Sequence, residues 1–146
     1  LYHHLTFYGF LLCFASTSVA TLYYFLLGSE APYAYSSLPV LLGTVGGIGI
    51  TIGPIGLYRL SLRRDPGLGT NEDHQGMDQA FLVMLAATGG TGLALMALRS
   101  TPLMGTLLAI HLGFVFAFFL TMPYGKFVHG IYRTGALIRC AMERTS

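Results

Sequence analysis

The chain has 146 residues and a mass of 15.8 kDa, the size of one domain, but 53% of it is hydrophobic and only 10% is charged. A soluble domain is about one-quarter charged, and disorder needs low hydrophobicity with high charge; neither class fits, and a mean hydropathy of +0.63 points to a polytopic membrane protein. A net charge of +2 with no basic stripe argues against a nucleic-acid partner.

Crossing a hydrocarbon core of about 30 Å takes roughly 20 apolar residues in a helix. Four stretches meet that length: Leu5–Leu27, Leu38–Tyr58, Gln79–Leu98 and Leu103–Val128, the last broken only by Pro123 and Lys126. Strand-like alternation is absent, and lipid leaves no partner for open backbone groups, so all four are expected to be helices. The expected fold is therefore an all-α membrane domain of four transmembrane helices, occupying residues 1–146 as one unit.

The first loop, Gly28–Ser37, carries no Lys or Arg, whereas Ser61–Gly76 is long, polar and punctuated by Gly and Pro. Arg99–Pro102 reads as a tight turn, with Ser100 or Thr101 capping the fourth helix and Pro102 in its first turn. Arg59, Arg63, Arg64, Lys126, Arg133, Arg139 and Arg144 fall on one side of the four-span topology and only Arg99 on the other. The positive-inside rule then puts both termini in the cytoplasm, in a multi-pass protein of the inner membrane.

The second span carries six glycines between Gly43 and Gly56, with Gly49 and Gly53 at small-xxx-small spacing, and the third adds Gly89, Gly90 and Gly92. Such faces let membrane helices approach closely, and they also leave room beside them for a flat cofactor. Pro54 and Pro123 are expected to kink their helices.

Five histidines remain, and an ionisable side chain within a span is costly enough to be a functional candidate. His111 and His129 are eighteen residues apart on the last span, five full turns, so both face one way about 27 Å apart along the axis. His3 and His4 open the first span at the same depth as His129. Imidazoles from two facing helices can grip a haem iron axially, making His4 and His129 candidate ligands of a haem b. Lys126, Arg133, Arg63 and Arg64 stand at the same rim as candidate partners for its propionates. The plainer alternatives are that His3 is an interfacial polar residue, that His74 is solvated in its loop, and that His111 hydrogen-bonds a hydroxyl such as Thr88 or Thr91. Phe114, Phe116, Phe118, Phe119 and Phe127 could line a haem, though lipid contact and packing account for most of them.

There is no CxxC pair; Cys13 and Cys140 are isolated, so the chain has no thiolate-bound zinc or iron–sulfur site of its own. It begins at Leu1 without a basic leader, which reads as a piece of a longer polypeptide.

The segment HLGFVFAFFLTMPYGKFVHGIYR resembles the last helix of the respiratory nitrate reductase gamma subunit, in which two haem-ligating histidines lie eighteen residues apart. HHLTFYGFLLCFASTSVATLYYFLLG, LPVLLGTVGGIGITIGP, RRDPGLG and PYGKFVHGIYR together resemble, over essentially the full length, the membrane half of the tricarballylate-utilisation (CitB-type) electron-transfer family. The resemblance implies electrons passing from a flavin dehydrogenase through an iron–sulfur domain or subunit to haem b in the bilayer and on to quinone. Carried over by residue, it makes His4 and His129 the haem pair, with His4 favoured over His3 because Gly9 then falls at the family's offset. His111 matches one ligand of a second haem, but the position about ten residues after His4 holds Cys13 and its neighbours rather than histidine. His111, with His3 as a further candidate, is therefore left open between a second haem and a quinone. Two quinone sets suggest themselves: His111 with Thr88 or Thr91, and Asp78 with His74 and Arg64, although Asp78 is equally an acidic residue at a helix start.

No hydrolytic constellation or phosphate loop is present, so chemistry on the organic acid is expected to belong to a partner. The rivals are a haem-free membrane anchor for an iron–sulfur domain and a small transporter built from broken helices.

Overall fold

The computed structural model describes residues 1–63, 72–121, 135–140 and 142–143, with backbone alone for 72–75. Its elements are α1 (Tyr2–Leu27), α2 (Leu38–Leu62), α3 (Glu72–Ala97) and α4 (Met104–Thr121), each long and apolar enough to cross a membrane. Among the described residues there is no strand. The protein is an all-α membrane protein of four spans, as its hydropathy requires.

The boundaries differ from expectation in an instructive way. α1 starts three residues early; α2 runs four residues past Tyr58, through Arg59; and α3 begins at Glu72 rather than Gln79. Hydropathy reports the thickness of lipid, whereas a helix continues into water until a cap or a breaker stops it. Gly28 is such a stop: at φ 61° it is left-handed, and its N–H returns to the Tyr23 carbonyl. At the third turn the expectation is corrected. Thr101 Oγ1 donates to the Leu98 carbonyl rather than capping α4, and Pro102 lies two residues before that helix. Pro54 is fully buried inside α2, which continues across it as helix. Pro123 lies outside the described residues.

The packing is inverted relative to a soluble protein. Among the described residues only Ile50, Leu85 and Phe118 are buried large hydrophobics, while Phe14, Phe25, Ile52 and Phe116 are half or more exposed on the outer faces. With lipid outside there is no hydrophobic drive between helices, so close backbone contact takes over. α2 is the hub, touching α1 on one side and α3 on the other, and α4 packs on α3. A Cβ at Gly9 would lie 2.6 Å from the Ile50 amide nitrogen and 2.9 Å from the Gly46 carbonyl oxygen, so α1 and α2 meet main chain to main chain. Gly46, Gly49 and Gly53 continue this seam toward the start of α1; the expected Gly49–Gly53 pair belongs to it. Gly89 lets α3 close on the Ile50 and Thr51 side chains of α2. Phe10, Ile50, Leu85 and Phe118, one from each helix, join in a single apolar layer.

Candidate functional site

The four helices do not close above that layer. Between it and the Arg99 end lies a cavity of about 370 Å³, bordered by Cys13 and Ser16 of α1, Gly43 and Gly47 of α2, Thr88, Gly89, Gly92 and Met96 of α3, and His111 of α4. The opening follows from the packing order: α1 and α4 flank it without backbone contact, bridged by the Phe10 and Phe118 rings at 6.3 Å. Exposed Phe14 and Phe119 stand at its border.

His111 is half-buried in this wall. Its Nδ1 lies 3.1 Å from Thr91 Oγ1, and Thr91 Oγ1 in turn lies 2.7 Å from the Ala87 carbonyl. Thr88 Oγ1 donates instead to the Met84 carbonyl, 2.9 Å away. The imidazole has space because α3 presents glycine to it: a Cβ at Gly92 would come within 3.0 Å of His111 Cε1. Of the two hydroxyls considered from sequence, Thr91 is thus the one that engages the ring.

At the far end of α1 the other candidates separate. His3 and His4 are exposed, their rings edge to face at 6.4 Å, and His4 stacks on Tyr8, one turn on, at 6.2 Å and 21°. His4 stands on the side of α1 away from the glycine seam, and neither ring nitrogen has a hydrogen bond among the described residues. Arg63 ends α2 exposed, and with Arg59 and Tyr2 it borders a groove of about 320 Å³. Asp78 is half-buried in the first turns of α3; ten residues before Thr88, it is about 15 Å along the helix from the His111 wall. His129, Lys126, Arg133, Arg64 and Phe127 lie outside the described residues, as does the side chain of His74. Of the remaining aromatics, Phe118 is in the core layer, while Phe116 and Phe119 are more than half exposed, as lipid-facing residues should be.

The Arg99 end is latched. Arg99 donates from Nη1 to the Tyr33 carbonyl at 2.5 Å and places its guanidinium 3.5 Å over the Tyr35 ring. Tyr33 in turn reaches the Ala20 and Ser29 carbonyls at 3.0 and 3.1 Å. The lone cation opposite the basic end therefore ties the α3–α4 turn to the first loop, a role that charge counting alone did not suggest.

A family model for citrate utilization protein B matches residues 1–146. The chain belongs to that family. It is 53% identical over 143 residues to Citrate utilization protein B of Escherichia coli, covering 98% of this chain and 38% of that protein. It therefore spans well under half the length of that relative. No solved structure matches.

Proposed function

We propose that this chain is the haem b membrane part of an electron-transfer system serving the use of a tricarboxylate such as citrate or tricarballylate, handing electrons to quinone. The relative's name supports the tricarboxylate side, and four spans without CxxC motifs suit a chain whose iron–sulfur and flavin partners lie elsewhere. The inner membrane, with the Arg59 and Arg63 end in the cytoplasm, is the setting this proposal assigns.

The observation that carries it is His4. An axial ligand needs a bare imidazole nitrogen, an apolar flank and nearby cations for the propionates. His4 meets these conditions on the face of α1 that α2 leaves open, with Tyr8 stacked beside it and Arg63 at the same end of the bundle. In the proposal His4 and His129 hold the iron, and Lys126, Arg133, Arg63 and Arg64 neutralise the propionates. Haem bound there would supply one-electron redox chemistry, its potential governed by the ligands and by burial. The chain's own contribution is to orient two imidazoles, exclude water and place positive charge at the rim.

The test is the reduced-minus-oxidised spectrum of the purified full-length protein. His129→Ala and His4→Ala should each abolish the b-type bands while circular dichroism still reports inserted helices. A full b-type spectrum in His129→Ala would refute the assignment, and a wild-type protein with no Soret band would favour the haem-free anchor.

A further inference from the structure

The cavity at the other end of the bundle has a chemistry of its own, set by where one proton lies. Thr91 has a single hydroxyl proton and three claimants for it, the Ala87 carbonyl at 2.7 Å, the Thr88 carbonyl at 3.1 Å and His111 Nδ1 at 3.1 Å. The shortest contact is the usual i−4 back-bond of a helical threonine. With the proton committed there, Thr91 Oγ1 accepts, and His111 Nδ1 must donate to it. The Thr88 carbonyl, 3.1 Å from Thr91 Oγ1, is a second acceptor beside the same ring. A neutral imidazole carries one N–H, so Nε2 is left with a bare lone pair.

The His111 ring borders an apolar cavity whose size is typical of small-molecule sites. Its walls are smooth where Gly43, Gly89 and Gly92 contribute no side chain, and ring-lined where Phe10 and Phe118 do. The gap lies between α1 and α4, beside exposed Phe14 and Phe119, so an occupant enters from the bilayer. Apolar entry, flat walls and one acceptor specify a lipid-soluble, planar molecule with an O–H to donate.

We propose that this cavity binds an aromatic alcohol of the hydroquinone class through an O–H···Nε2 bond to His111, with Thr91 as the positioning residue that sets the imidazole tautomer. The choice of hydroquinone among aromatic alcohols rests on the electron-transfer proposal above; the O–H donor requirement does not.

The experiment uses the full-length protein in lipid nanodiscs, ¹⁵N-labelled at histidine and kept reduced, titrated with tetramethylhydroquinone or with its dimethyl ether. The His111 resonances should report Nδ1–H with bare Nε2, and the hydroquinone should shift Nε2 while the ether, which lacks the O–H, should not. Thr91→Val, which removes the hydroxyl, should weaken hydroquinone binding about tenfold, the scale of one hydrogen bond. Thr91→Ser should restore both binding and tautomer, and since it conserves the back-bond it also guards against misfolding of the valine variant. An Nε2–H tautomer, or equal binding of the ether, would overturn the proposal. Haem content is read in parallel: His111→Phe should keep its b-type bands, and their loss would give the cavity to haem and overturn the proposal while sparing electron transfer. Hydroquinone binding by a wild-type protein with no haem would uphold this site and sink the electron-transfer function instead.

Discussion

The seam between α1 and α2 and the gap between α1 and α4 are built by opposite rules. In the seam, Gly9 faces Gly46 and Gly49 so closely that a single methyl group would strike main-chain atoms. Across the gap, the helices flanking the same cavity are bridged by the Phe10 and Phe118 rings. One interface is scaffold, where every atom of side chain is excess. The other is space, bordered by His111 and Thr88, with Thr91 in contact with the imidazole. Small residues thus act in two ways: they bring backbones together at Gly9, and they keep a wall clear for the imidazole at Gly92.

Substitutions should separate these uses, beginning with the largest effect. Gly9→Leu forces a branched side chain into main-chain atoms that cannot yield, so it should cost about 3 kcal/mol or more, read as loss of cooperative unfolding in detergent. Arg99→Gln removes a charge-assisted hydrogen bond to the Tyr33 carbonyl and a cation–π contact over Tyr35. The expected loss is about 1–2 kcal/mol, visible as faster amide exchange confined to residues 28–37, with the seam unaffected. Gly92→Ala places a methyl 3.0 Å from His111 Cε1, which a side chain can accommodate by shifting. Stability should fall by about 1 kcal/mol or less, but the His111 resonances should move, which Gly90→Ala, with open space at its Cβ, should not cause. Thr44→Val should change least, about 0.5 kcal/mol or less, because the hydroxyl back-bonds within its own helix to Val40 and its partner on α3, the Met96 sulfur, is a weak acceptor. An equal effect of Gly9→Leu and Gly92→Ala would erase the distinction between seam and gap.

The four helices were legible because lipid imposes one length and one composition on each span, and that signal survives in any sequence. The helix ends were not, since Arg59 lies inside α2 although hydropathy stops before it. The glycines of α2 announced close packing, but Gly9, the residue they pack against, stood alone in α1 with no spacing to mark it. For the site, His111 and its two threonines could be grouped from sequence because the third and fourth spans adjoin. Which threonine engages the ring depended on helix rotation, which a nearly uniform apolar face does not encode. That Arg99 serves as a latch depended on a loop conformation, beyond what charge counting can reach.

The most direct test of the central claim, that this is a haem-bearing electron carrier, is a pyridine haemochrome assay with protein quantitation on the full-length protein purified from membranes. The account predicts haem b at one or more per polypeptide, lost when His129 is replaced. Protein that is folded, inserted and free of haem would contradict it.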